Sequence, residues 1–178
     1  MVIGLVSILA ISCQKDDENP KSTINFNPKL KYGTVKDFDN NIYKTITIGR
    51  QVWMAENLRT THYRNGSPIP NQTNINTWTG LRTGAYCWNN NDANNKNTYG
   101  AIYNYYAVAD NRNLCPSGWH VPTMYEWSDL QEFLGGYEVA GGHLKEKEFS
   151  HWEEPNTGAD NNSGFTALPA GGCGTNSD

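Results

Sequence analysis

The sequence predicts an α+β fold with long loops, and three segments carry that prediction. Residues 35–48 alternate between apolar and polar side chains around the turn-forming triplet at 39–41, which indicates a β-hairpin. Residues 123–134 combine helical spacing with an N-terminal capping signal and a closing Gly pair, which indicates an α-helix. Residues 62–97 are rich in Gly, Pro, Asn and Thr, as is typical of structured loops.

The start of the chain predicts a lipoprotein signal. Residues 2–11 form an apolar run, which suits a secretory signal but falls short of the ~20 residues that span a bilayer. The tetrapeptide AISC at 10–13 resembles a lipobox, so we expect residues 1–12 to be a signal peptide and Cys13 to be lipidated. Because no Lys or Arg precedes the run, the alternative is a buried N-terminal strand or helix with an incidental cysteine.

Residues 13–32 are expected to form the lipidated cysteine and a polar tether, since they carry charge and few apolar side chains. Residues 14–18 (QKDDE) resemble the Lys-plus-acidic signal that routes lipoproteins of the Bacteroidetes group to the cell surface. Acyl chains that contribute about 0.8 kcal/mol per buried methylene would hold the protein on the membrane. We therefore expect a lipid-anchored protein of the outer membrane, exposed on the cell surface.

The remaining chain, residues 33–178, is long enough for one domain with its own core. The 178 residues include 14 basic and 18 acidic side chains, for a net charge of −4, without a basic cluster. This charge pattern argues against a nucleic-acid partner. With 6 Trp and 10 Tyr, the polar sequence also differs from a disordered one and predicts a loop-rich extracytoplasmic fold.

The other elements follow from periodicity and turn signals. After the hairpin, we expect a short irregular or helical segment at 55–58, while Ile102, Tyr105, Tyr106 and Ala109 can share one helical face. The predicted elements are strands at 51–54, 85–88 and 164–168, and helices at 99–109 and 139–147.

Three cysteines remain beside Cys13: Cys87, Cys115 and Cys173. A secreted domain permits disulfides, and an odd number leaves one cysteine without a partner. The spacing contains no CxxC pair and matches a zinc site poorly. The sequence alone leaves the pairing open.

Five separated blocks carry a resemblance to a known family. They are GTVKDFDNNIYKTITIGRQVWMAENLR, GAYCWNNND, NTYGAIYNYYAV, LCPSGWHVPTMYEWSDLQEFLGG and NNSGFTALPAGG. In this order they resemble the Fibrobacter succinogenes major paralogous domain family over roughly residues 33–173. The block GWHVPT to EW at 118–127 is more distantly similar to the "LPTEAEW" segment of formylglycine-generating enzymes, which have a C-type-lectin-like architecture.

The resemblance implies a C-type-lectin-like fold, with two main helices against a twisted antiparallel sheet and long loops. Members of the family typically continue past the GFTALPAGG block, whereas this sequence ends at Asp178. We therefore expect a domain that is incomplete at its C-terminus and has exposed strand edges. By analogy with C-type-lectin-like folds, the missing piece would supply the partner of Cys115.

The sequence offers no strong catalytic constellation. His62, His120, His143 and His151 are scattered, and no G-x-S-x-G, H-E-x-x-H, P-loop or G-x-G-x-x-G motif is present. Capping explains Glu126, and the 151–154 cluster HWEE is interpreted as a solvated loop rather than a metal or acid–base site. A formylglycine-generating enzyme would need a cysteine pair for copper, so we expect no enzyme activity, no catalytic residue and no metal centre.

Loop aromatics next to amides suggest a glycan ligand, because sugars offer apolar faces and hydroxyl edges. The candidate ligand-binding residues are Trp78, Trp88, Asn89, Asn90 and Asp92, together with Asn91. In the alternative interpretation the two Trp side chains fill a loop-rich core and the Asn run forms turns. Residues 160–162 (DNN) offer oxygen ligands of the kind Ca²⁺ takes, but lack EF-hand spacing, and a plain turn is the alternative.

These expectations combine into a functional hypothesis. The chain is expected to be a surface lipoprotein whose domain serves binding or adhesion without catalysis, with the membrane and a glycan or protein as partners. A structural display scaffold of the cell envelope is the alternative, and a divergent formylglycine-generating-type enzyme is a third.

Overall fold

The computed structural model describes residues 23–173, which form a mixed α/β fold with two small antiparallel sheets. This confirms the α+β prediction at the level of fold class. The strands are β1 (Gly33–Lys36), β2 (Ile42–Ile48), β3 (Gln51–Met54), β4 (Tyr86–Trp88) and β5 (Ala101–Tyr103). The helices are α1 (Ile75–Trp78), α2 (Lys96–Tyr99), α3 (Tyr105–Val108), α4 (Met124–Phe133) and α5 (Tyr137–Leu144).

The first sheet has the order β1-β2-β3 and contains the predicted hairpin. Asp37 closes the β1–β2 turn, because its Oδ1 accepts the backbone N–H of Asn41 at 2.9 Å. Asn40 has φ 66°, a left-handed conformation that Asn tolerates well. β2 then pairs with β3 in the register Ile46 to Trp53, which leaves β3 at the edge of the sheet.

The second sheet pairs β4 with β5, and here the helix predicted at 99–109 is wrong. The chain forms α2, β5 and α3 instead, and Ile102 pairs with Cys87 of β4. Gly100, at φ 69°, ends α2, and the side chain of Asn104 caps α3 by accepting the N–H of Ala107 at 2.9 Å. A glycine in a left-handed conformation and a new N-cap within five residues interrupt a continuous helix.

The strand predicted at 164–168 is also absent from the described structure. Only one bridge forms there, between Lys145 and Ala167. Gly164 and Thr166 have φ values of 73° and 59°. Left-handed residues at alternate positions prevent the extended backbone that a strand needs.

Helix α4 confirms its prediction in detail. Thr123 and Glu126 form a reciprocal capping box, and the helix ends before Gly135 and Gly136, whose φ values are 97° and 95°. α5 then overlaps the helix predicted at 139–147. The two long helices are therefore α4 and α5, and they contact each other.

Two apolar clusters form the core. One lies beside β4–β5 and comprises Tyr63, Ile69, Tyr86, Trp88, Ala107 and Leu114. The other lies between the first sheet and α4 and comprises Ile46, Ile48, Trp53, Ala55 and Leu130. Each large apolar side chain buried in this way contributes about 1.5–3 kcal/mol to folding.

Residues 23–32 differ from the expected tether, because they pack on the domain. Phe26, Leu30 and Tyr32 contact the second core cluster, and the backbone N–H of Asn25 donates to Glu146 at 2.7 Å. These apolar side chains, set among polar neighbours, are enough to fix the segment. The predicted signal peptide at 1–12 and the lipidated Cys13 lie outside the described residues. Within 23–173, no helix is long and apolar enough to cross a membrane.

A disulfide joins Cys87 of β4 to Cys173. Cys115 is buried and has no disulfide partner among the described residues. The structure thus selects one of the pairings that the sequence left open.

Candidate functional site

A groove of about 890 Å³ lies on the described surface. Most of its lining comes from strand β3, strand β5 and the segment 114–122 that leads into α4, and the side chains of Trp127 and Phe165 also contribute. Most of the lining side chains are apolar. A groove of this size and character is typical of ligand sites.

Trp127 of α4 is a prominent aromatic side chain in this groove. Its helical spacing with Leu130 and Leu134 predicts a core position, yet Trp127 is 42% exposed. The ring packs against Trp53, at a centroid distance of 4.7 Å, and against Phe165, at 5.9 Å. Trp127 therefore has a fixed orientation while part of its surface remains accessible.

Two further apolar side chains of the groove are exposed. Val52 on β3 is 54% exposed, and Val121 before α4 is 42% exposed. Together with Trp127, these side chains come from three separate parts of the lining. Exposed apolar side chains that line one groove are typical of interaction sites in soluble domains.

The polar groups of the groove are held by neighbouring residues. Glu126 Oε1 lies 2.7 Å from His120 Nε2, and Glu126 Oε2 accepts the N–H of Thr123 at 2.8 Å. The hydrogen bonds from the backbone and side chain of Thr123, and then the one from His120, lower the pKa of Glu126 below its usual value. Gln51 donates to the backbone carbonyl of Glu126 at 3.1 Å and accepts from Trp53 at 3.2 Å.

Cys115 also lines the groove. Burial raises the pKa of its thiol, an effect that the charge of Arg64 opposes only in part. Arg64 donates to the carbonyl oxygens of Cys115, Pro116 and Trp119, each at 2.8 Å. This guanidinium fixes one wall of the groove, while burial keeps Cys115 a neutral thiol.

The candidate ligand residues from the sequence do not line this groove. Trp88 is only 8% exposed, and its ring packs edge-on against Tyr86 at 4.9 Å. Asn89 donates to the carbonyl of Ala170 at 3.1 Å, and Asp92 caps a short turn by accepting the N–H of Asn94 at 2.9 Å. These contacts are the ones expected from the structural alternative.

The other two candidates lie apart from that packed core. Asn90 is exposed and has φ 52°, as in a turn. Trp78 ends α1 and is half-buried. Within residues 23–173, no hydrogen bond or ring contact joins either residue to the Trp88 ring, so the set does not form one platform.

All four histidines are paired with carboxylates. The pairs and their N–O distances are His62–Asp39 (2.5 Å), His120–Glu126 (2.7 Å), His143–Asp160 (2.9 Å) and His151–Glu146 (2.7 Å). Within residues 23–173, no group of three or more His, Cys, Asp or Glu side chains could hold a metal ion. Asp160 also accepts the N–H of Asn162 at 2.9 Å, so that both of its oxygens serve a hydrogen-bonded turn.

The fold and the groove define a small, loop-rich α/β domain with an open apolar groove. The model of the Fibrobacter succinogenes major domain matches residues 46–178, and the chain belongs to this family. The match confirms the family resemblance found in the sequence. Comparison with curated proteins and with solved structures found no match.

Sequence reasoning missed the groove because its walls are distant in the sequence. Residues near 52, 102, 120 and 165 meet there. One local signal exists. The helical spacing of α4 places the large Trp127 side chain on the face that packs on the core, but no nearby sequence pattern predicts a residue that would cover it. Such a signal marks one residue of the site and does not reveal the groove.

Proposed function

We propose that this protein is a lipid-anchored, surface-exposed bacterial protein whose domain binds a ligand in the groove without catalysis. The observation that carries the proposal is the groove itself, with Trp127, Val121 and Val52 exposed in its lining. A ligand that covers these side chains would remove apolar surface from water, which contributes about 25 cal/mol per Å² before the costs of association. The family resemblance also supports a C-type-lectin-like architecture as the finer fold class.

The state of the polar groups supports binding over chemistry. The Glu126 carboxylate is hydrogen-bonded in the capping box and to His120. Its lowered pKa makes it a poor proton donor at neutral pH. The raised pKa of Cys115 disfavours the thiolate that a nucleophilic cysteine needs. Neither group has the properties expected of a general acid or of an activated nucleophile.

A test of groove binding uses two Val→Glu substitutions at similarly exposed positions. Val121 lies in the groove at 42% exposure, while Val139 lies on α5, outside the groove lining, at 45%. A buried, unpaired carboxylate costs several kcal/mol. We expect Val121→Glu to lower retention on glycan and peptide arrays by at least about tenfold, and Val139→Glu to leave it unchanged.

Equal retention by the two variants would overturn the groove as the binding site. If the wild-type protein is retained on neither array, the display-scaffold alternative takes its place. Circular dichroism of each variant checks that the fold survives.

The proposed anchor is supported by the sequence at 10–13 and has its own test. Intact-mass analysis of the membrane fraction should detect a chain that begins at a lipidated Cys13, and surface proteolysis of whole cells should degrade it. In the Cys13→Ala variant both signals should disappear. An unprocessed or soluble wild-type chain would contradict the anchor and the surface localisation.

A further inference from the structure

We propose that the groove binds a long-chain fatty acid, with its alkyl chain along β3 and its carboxylate at Arg50. This inference rests on the proposed function, because it names the ligand class of the same groove. Two features of the lining carry it: apolar side chains that follow the whole of β3, and a cation at the start of this strand. A ligand that matches both has a long apolar part and a single anionic group.

Arg50 supplies the cation. It is exposed and lies in the turn directly before β3. The other charged side chains of the lining have partners, since Glu56 bonds to Arg59 and Glu126 bonds to His120. Within residues 23–173, Arg50 forms no hydrogen bond or ion pair. A guanidinium with all of its donors free is complementary to a carboxylate.

The uncharged polar side chains of the groove favour an alkyl chain over a sugar. Gln51, Asn57 and Tyr103 each donate to a backbone carbonyl, at 3.1, 3.0 and 2.6 Å. A glycan would have to compete for these groups, because its hydroxyls need hydrogen-bond partners, whereas an alkyl chain needs none. The exposed surfaces of Val52 and Trp127 offer apolar contact instead.

The length of β3 sets the length of chain that fits. From Arg50 to Met54, the strand extends about 14 Å at about 3.4 Å per residue. An extended alkyl chain with bonds of about 1.5 Å advances about 1.25 Å per carbon, so that about 12 carbons cover this distance. The lining continues to Leu58, which is bonded to Ala101 of β5. We therefore expect affinity to rise with chain length at least as far as dodecanoate.

The probes are octanoate, decanoate, dodecanoate and tetradecanoate, titrated below their micelle concentrations into the full chain and followed by calorimetry. Each added methylene that the groove buries should strengthen binding by up to about fourfold. Decanol is the uncharged match to decanoate. Raising the salt concentration should weaken binding of decanoate but not of decanol, because salt screens an exposed ion pair.

The protein variants separate the charge from the apolar surface. Arg50→Gln should weaken binding of decanoate by about fivefold and leave decanol unchanged. Arg82→Gln is the matched control, because Arg82 is also exposed but lies outside the groove lining. Val121→Glu should weaken both ligands by at least about tenfold, since both place an alkyl chain in the groove.

The lipid proposed at Cys13 has acyl chains of the same chemistry, so the source of the ligand needs its own comparison. We expect the lipidated protein and the Cys13→Ala variant to bind decanoate equally. If only Cys13→Ala binds it, the protein's own acyl chain fills the groove, and a free fatty acid is not the ligand.

Equal losses of decanoate and decanol in Arg50→Gln would overturn the proposal, as would affinity that does not depend on chain length. If Arg50→Gln fails to fold, the wild-type protein decides, because equal salt responses of decanoate and decanol would also overturn it. If glycans or peptides are retained in a manner sensitive to Val121→Glu while no fatty acid binds, this inference fails and the proposed binding function stands.

Discussion

At the scale of single residues, Glu146 joins segments that are far apart in the sequence. It is fully buried, and its two oxygens accept the N–H of Asn25 and bond to His151 Nδ1, both at 2.7 Å. The other His151 nitrogen lies 3.1 Å from the Thr23 hydroxyl. One carboxylate thus fixes the start of the described chain to the loop after α5.

The first prediction concerns this carboxylate. Glu146→Gln keeps the size and one acceptor but removes the charge, and we expect the free energy of unfolding to fall by about 2 kcal/mol. Urea denaturation measures the change. Glu126→Gln is the control, because Gln also suits a capping box and this pair is exposed, so its effect should be much smaller. Equal effects would mean that burial of Glu146 is not what matters.

At the scale of elements, α5 contains two adjacent glycines with opposite surroundings. No described atom lies within 4 Å of a Cβ added at Gly141, whereas a Cβ at Gly142 would collide with the carbonyl oxygen of Gly158. Gly142 also accepts the N–H of Asp160 at 3.1 Å. The close approach of the 158–160 loop to α5 therefore requires a glycine at position 142 but not at position 141.

The second prediction uses this pair as its own control. Gly141→Ala should raise the free energy of unfolding by about 0.5–1 kcal/mol through helix propensity. Gly142→Ala should lower it by about 1–3 kcal/mol, since backbone must move to make room. Thermal unfolding of the two variants checks the signs. Similar shifts in both would contradict the packing of the loop on α5.

The elements also indicate what the sequence can predict. α4 was predictable because its capping box, apolar spacing and closing glycines all lie within 14 residues. The segment 99–109 was not, because Ile102 pairs with Cys87, a long-range contact that helical spacing cannot report. Likewise, the sequence leaves open whether Trp88 binds a ligand or fills the core, because the residues that bury it, such as Tyr63 and Leu114, are distant in the sequence.

At the scale of the whole molecule, the disulfide Cys87–Cys173 closes a separation of 86 residues. In the chain-entropy model, a loop of this length contributes about 4.6 kcal/mol to stability by restricting the unfolded chain. The groove has a different origin, because it exists only where the two sheets and the 114–122 segment meet. No local pattern encodes such a junction.

The third prediction is that Cys173→Ser lowers the free energy of unfolding by about 4.6 kcal/mol. Adding a reductant to the wild-type protein should produce the same loss. The variant itself should be insensitive to reductant, which serves as the control. A wild-type protein whose urea midpoint ignores reductant would contradict a stabilising disulfide.

The fourth prediction concerns acid. Burial alone would raise the pKa values of Asp39 and Asp160, but hydrogen bonds from Thr61 and His62 to Asp39, and from Asn162 and His143 to Asp160, outweigh it and lower both. An unfolded Asp has a pKa of about 3.9. These carboxyls therefore add stability that is complete above that pH and is lost as the pH falls through their folded-state pKa values.

Urea midpoints measured from pH 7 down to pH 3 test this sign. Asp39→Asn and Asp160→Asn should be less stable at pH 7 and should lose less on acidification than the wild-type protein. Asp129→Asn, at an exposed position on α4, should follow the wild-type curve. A parallel loss in all three variants would contradict the assignment.

The packing of residues 23–32 has a consequence for how far the domain can move from a membrane. If Cys13 carries the lipid, about ten residues separate the anchor from the first residue bonded to the domain, because Thr23 and Asn25 already contact it. A chain of about ten residues reaches at most about 35 Å when fully extended. The domain would thus remain within about its own diameter of the lipid surface, and its partners would have to approach the groove close to the bilayer.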